Sequence, residues 1–216
     1  MSTRSFWLTA LSALGVLTAG SLAAQSSLSG TAAGLVQNFR ARSEASGVTQ
    51  VSGTALGFAG SLRFRRFELG VQYAEGTLQP TDQVSESRDL VEGALALRFV
   101  GTPWLSVEMG PRVRHYATTS GAERWVTWRL GGRVETALVG TSVRGYAMLW
   151  RGLGLDVNVP PGSGSTRGGE VGVTVNMGPG PLWFTLGYGI DHAQVRDAAR
   201  GETVETLTLT AGLRRR

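Results

Sequence analysis

Catalysis needs side chains that hold a proton, a metal or a covalent bond, and this chain carries few of them in useful spacing. It has two histidines, His115 and His192, and no cysteine. Thiolate chemistry and disulfides are therefore excluded, and two histidines without cysteine do not make a metal site. Asp191-His192 is the pair that most resembles a water-activating couple. Neighbouring residues on a strand point to opposite faces, so the two side chains would diverge. His115 with Ser120 is too loosely spaced to specify a nucleophile and its base. Gly162-Ser163-Gly164-Ser165 and Gly168-Gly169 are glycine-rich, but no strand–loop–helix context follows, which excludes a phosphate loop. That run reads as a flexible loop. No catalytic, cofactor-binding or metal-binding residue is expected, and no cofactor.

Charge is the other chemical resource. All basic residues are arginine, and the formal net charge is only +5. The arginines are spread along the chain beside acids, which argues against a nucleic-acid partner. One stretch concentrates both signs: Glu92, Arg98, Glu108, Arg112, Arg114, Arg129, Arg133 and Glu135. If the chain turns near Thr102 and again near Ser120-Gly121, Glu92 falls opposite Arg112, Glu108 opposite Arg133 and Arg112 opposite Arg129. Opposite charges across a strand pair attract, and facing arginines need a bridging acid, a role open to Glu92. The expected result is a paired Arg/Glu network: Glu92, Arg98, Glu108, Arg112, Arg129, Arg133 and Glu135. An anion-attracting channel is the other reading of the same residues.

The elements that would hold this network are strands. Short turns are marked at Arg65-Arg66, Gly101-Thr102-Pro103, Gly140-Thr141 and Gly178-Pro179-Gly180-Pro181. They recur roughly every 40 residues and alternate with more polar connections, as in a hairpin-by-hairpin meander. Ten candidate strands result, near 29–41, 49–64, 67–79, 88–100, 104–117, 123–138, 142–156, 168–177, 182–195 and 202–213, with a plausible range of about 8–12. Their faces separate by period two. Phe67, Leu69, Val71 and Tyr73 oppose Glu68, Gly70, Gln72 and Ala74. Leu182, Phe184, Leu186, Tyr188 and Ile190 oppose Trp183, Thr185, Gly187, Gly189 and Asp191. The first and seventh segments polarise poorly; Arg144, Tyr146, Met148 and Trp150 share one face of the latter.

The polar faces are rich in Gly, Ala, Ser and Thr, punctuated by charge. That suits a narrow polar lumen with an apolar outside better than a solvated exterior. Phe64, Phe67, Phe99, Trp104, Trp183 and Phe184 flank short turns, and Tyr73, Tyr116, Trp125 and Tyr188 lie toward the other strand ends, where two interfacial aromatic belts would sit. Residues 1–24 add a basic start at Arg4, an apolar stretch from Phe6 to Leu17 and small residues to Ala24. This is the pattern of a cleaved secretory signal peptide, leaving residues 25–216 as one domain.

The leader and the alternating meander, over about residues 27–213, resemble the small bacterial outer-membrane β-barrel families. The likeness is one of pattern, without a family-specific motif. It implies an all-β, closed, antiparallel up-and-down transmembrane barrel in the bacterial outer membrane. The implied partners are outer-membrane lipid and lipopolysaccharide, and the barrel-assembly machinery. That machinery usually meets a terminal aromatic residue, where this sequence reads Leu213-Arg214-Arg215-Arg216. The function expected is structural or surface-binding, with at most a narrow pore whose lumen is braced by charge. The resemblance also opens an enzyme reading. Some ten-stranded relatives are rim proteases, for which Asp191-His192 with Asp82, Glu86 or Asp89 are the residues to consider. Others modify lipid acyl chains with a Ser/His pair. A soluble secreted barrel binding an apolar ligand is the third reading.

Overall fold

The computed structural model describes residues 28–44, 47–81, 86–119, 121–158, 161–196 and 200–215. The leader at 1–24, Asp82 and Ser120 lie outside the described residues.

Ten strands follow one another: β1 Leu28–Glu44, β2 Val48–Phe64, β3 Phe67–Pro80, β4 Arg88–Thr102, β5 Leu105–Ala117, β6 Ala122–Val139, β7 Val143–Asn158, β8 Pro161–Asn176, β9 Leu182–Val195 and β10 Arg200–Arg215. Each pairs antiparallel with its neighbour in sequence, and β1 pairs with β10 to close the barrel. Closure leaves no unpaired edge. The expected all-β, up-and-down barrel of ten strands is the fold. The four short turns gather at one end, the turn end, and the longer connections at the other, the loop end. Arg65, in the tight β2–β3 turn, takes φ 55°, and Gly140 and Gly178 take φ 51° and φ 60° in theirs.

The strands run from 13 to 18 residues. A 16-residue strand such as β7, tilted by about 45°, rises roughly 38 Å, more than the apolar band of about 25 Å on a membrane barrel. The sequence uses the surplus by inverting its faces partway up. Toward the turn end the outer surface is apolar: Leu56, Phe58 and Leu62 on β2, Leu69 and Val71 on β3, Leu95 and Leu97 on β4 are all exposed. Phe64, Phe67, Phe99 and Trp104 stand exposed around the turns, as an interfacial belt requires. Toward the loop end the same outer faces turn polar, with Thr54 on β2, Glu75 on β3, Asp89 on β4, Arg151 on β7 and Arg167 on β8.

The interior inverts in the opposite sense. Near the turn end it carries Gly, Ala, Ser, Thr and charge. Near the loop end Phe39, Val51, Leu78, Leu90, Val157 and Val204 form a dry core inside the barrel. A polar lumen running the whole height was the expectation; its loop-end half is a hydrophobic core. Two aromatic assignments change with it. Tyr116 and Trp125 are buried in this core rather than set in an outer belt, because their positions are in phase with Arg114 and Thr127, which face inward. Trp183 also points inward, while Tyr73 and Tyr188 remain outside.

Two further differences have local causes. The weak polarity of β7 comes from an irregularity: its pairing shifts between Arg151 and Leu155 on one side and at Trp128/Arg129 on the other. A bulge reverses the phase, so Tyr146 and Trp150 face inward before it and Leu155 and Val157 after it. The Gly/Ser run, read as a flexible loop, belongs to β8. Glycine is required there by close approach. A Cβ on Gly164 would sit 2.0 Å from the Gln194 carbonyl, and one on Gly168 would sit 2.5 Å from the Trp150 ring.

Candidate functional site

The lumen holds two layers of charge, and at the loop end Arg200 pairs with Glu123 over the Trp125 ring. The lower, nearer the turn end, is built on β3 to β8. Arg98 donates to Glu108 through Nε and Nη2 at 3.0 and 2.8 Å, and to Glu68 through Nη1 at 3.2 Å. Arg133 donates to Glu135 at 2.8 Å and lies 3.7 Å over the Tyr146 ring. Arg144 reaches the same Glu135 at 3.4 Å. The Tyr146 hydroxyl donates to Glu170 at 2.5 Å.

The upper layer runs into this core: Glu92, Arg114 and Asp191 lie on its turn-end side, whereas Glu202 and Ser43 lie nearer the loop end than Val204 and Phe39. Glu92 accepts from Arg112 and, at 2.9 Å, from Arg114. Arg114 also meets Glu202 at 3.3 Å and Asp191 at 3.5 Å. Asp191 takes a bond from Arg129 and one from the Trp150 indole at 3.3 Å. Glu202 is capped by Tyr116 at 3.0 Å and Ser43 at 3.4 Å. Arg112, Arg114 and Arg129 thus face Glu92, Asp191 and Glu202, and the layer is neutral. Buried charge is tolerable only when paired in this way.

Every residue of the expected network enters one of these layers, but several pairings differ. Glu92 does bind Arg112, diagonally; its direct partner across β4–β5 is Arg114. Glu108 faces Gly131 and binds Arg98, not Arg133, which lies across from Ser106. Arg112 faces Thr127 rather than Arg129. The β5–β6 register sits two positions from the one expected. The acid that holds Arg129 is Asp191, from the far side of the lumen.

Glu202, Asp191, Glu68 and Glu170 were not foreseen as members. Their inward phase was visible in the alternation, but contacts across a lumen join strands that sequence spacing does not relate. Asp191 and His192 do point to opposite faces. Asp191 is buried in the upper layer, and His192 bonds Thr203 at 3.1 Å on the outside. The pair cannot act on one water. His115 is likewise on the outer face, across from Arg124. Among the described residues no cluster of His, Asp and Glu is arranged to hold a metal ion.

Below the upper layer the lumen opens into a cavity of about 540 Å³. Arg112, Arg129 and Trp150 line its upper part. Gly70, Ala94 and Ala96 belong to its small-residue wall. Arg63 and Arg214 lie among its lining near the turn end.

No family model matches the chain, and no curated protein does. Solved structures similar to it include Neisserial surface protein A, with a TM-score of 0.37 and 13% identity over 88% of this chain and 96% of that one. Ail, the attachment invasion locus protein of Yersinia pestis, gives 0.37 and 12% over 86% and 99%. The Pseudomonas putida toluene transporter TodX gives 0.34 and 8% over 88% and 70%. The chain resembles small bacterial outer-membrane barrels at the level of fold, without a shared family motif.

Proposed function

We propose that the protein is a non-enzymatic outer-membrane β-barrel whose lumen is closed, and which serves as a structural or surface-binding element of the outer membrane. The observation that carries this reading is the double inversion of faces. An exterior that is apolar only over the turn-end half suits a bilayer there and water above it. An interior filled toward the loop end by apolar side chains and paired charges, and charge-braced below, leaves no open path.

In this reading residues 1–24 direct export and are removed, and the barrel-assembly machinery inserts the domain with its short turns on the periplasmic side. The loop end then faces outward. Arg151 and Arg167 oppose each other across β7–β8 just above the apolar belt, with His192 next across β8–β9. Two facing arginines with no acid between them would meet the anionic headgroups of lipopolysaccharide.

Fractionation tests the reading. The expected result is a protein that needs detergent for extraction and migrates differently on SDS gels before and after boiling. A freely soluble monomer without detergent would overturn it.

A further inference from the structure

We propose that the turn-end cavity is a binding site for a small oxyanion, a phosphate- or carboxylate-bearing molecule that enters past the short turns. Pairing leaves the upper part of this cavity under-satisfied. A guanidinium offers five N–H donors. Arg112 gives one to Glu92, and Arg129 gives one to Asp191. The Nε atoms of both are buried without a protein acceptor. These Nε atoms are closed off from the cavity; the donors open to it are the guanidinium N–H groups that make no bond to Glu92 or Asp191.

The acids that hold these arginines do not line the cavity. Glu92 and Asp191 are buried behind it, while Arg112 and Arg129, with side chains 18% and 14% exposed, do line it. The cavity therefore meets the cationic side of a neutral layer. A planar guanidinium pair is suited to oxyanions because its donors match their geometry. The lower acids are already engaged: Glu68 and Glu108 by Arg98, Glu135 by Arg133 and Arg144, Glu170 by Tyr146. The volume falls within the range of small-molecule sites, about 300–1,000 Å³. The small-residue wall leaves this space open rather than filling it.

Gly70 provides a test that leaves the ion pairs intact. It lies on the cavity wall, and a Cβ there would come no nearer than 3.9 Å to any neighbour. Gly70→Leu should therefore fold and narrow the cavity on the approach from the turn end. The barrel in detergent micelles is titrated with inorganic phosphate and, separately, with succinate, while the arginine Nε–H resonances are followed by NMR. The expected result is saturable shifts at Arg112 and Arg129, stronger for whichever probe the site prefers, with binding at least tenfold weaker in Gly70→Leu. Arg112→Lys should weaken binding while keeping the charge. Shifts confined to exposed Arg65 and Arg66, or equal binding by wild type and Gly70→Leu, would overturn the proposal. Detergent dependence is read separately, so failure here leaves the membrane reading untouched.

Discussion

Arg114 and Glu202 meet at 3.3 Å although they belong to β5 and β10, which stand five strands apart in a ten-strand ring. The contact crosses the lumen rather than following the wall. Arg114–Asp191 and Arg129–Asp191 also tie strands that are not neighbours. Such ties hold the barrel's cross-section and occupy its centre together.

Breaking the tie should be costly. Glu202 is buried with three donors around it. Glu202→Ala leaves Arg114 and Tyr116 short of an acceptor and should destabilise the barrel by about 3 kcal/mol. Urea unfolding in lipid vesicles measures it. A loss below about 1 kcal/mol would show that the remaining acids re-pair freely.

The two layers should differ in weight. Glu92 holds two arginines and is fully buried, whereas Glu108 shares Arg98 with Glu68 in a wetter part of the lumen. Glu108→Ala should lower the melting temperature in detergent modestly, at a cost of about 1 kcal/mol, and Glu92→Ala should cost about three times as much. Equal losses, or an unchanged melt for Glu108→Ala, would contradict this ranking.

The apolar belt predicts a position-dependent cost for charge. Leu95 is half-exposed on the turn-end exterior, and Thr54 is exposed on the loop-end exterior. Leu95→Arg should cost about 2–4 kcal/mol in a bilayer, and Thr54→Arg less than about 1 kcal/mol. Refolding into vesicles of defined thickness compares them. Similar values would place the membrane elsewhere on the barrel.

Much of the fold was legible because period-two alternation and turn chemistry are local. Phe67 through Ala74 declares its two faces, and Arg65-Arg66 marks the turn that precedes it. Less local facts were hidden. The dry upper core requires Phe39, Leu78 and Val204, from β1, β3 and β10, to converge, and no spacing in the chain announces that. The bulge in β7 reverses the phase without a proline or a turn to signal it. In the candidate site the charged residues were identifiable by their inward phase. Their partners were not, since the β5–β6 register and the acids of β9 and β10 depend on closure of the ring.

The β2–β3 turn offers a check on backbone strain. Arg65 adopts a positive φ of 55° without being glycine, and its guanidinium lies 5.3 Å over the Phe64 ring. Arg65→Gly relieves the strain and should stabilise the barrel by about 0.5–1 kcal/mol, as a rise in denaturant midpoint. A fall of the same size would mean that the stacked cation outweighs the strain.

Single-channel recording in planar bilayers tests most directly whether the lumen is closed by the cross-lumen ion pairs and the core above them. The wild-type barrel should give no stepwise conductance above the detergent baseline. Reproducible conductance steps from the wild-type protein would contradict the account.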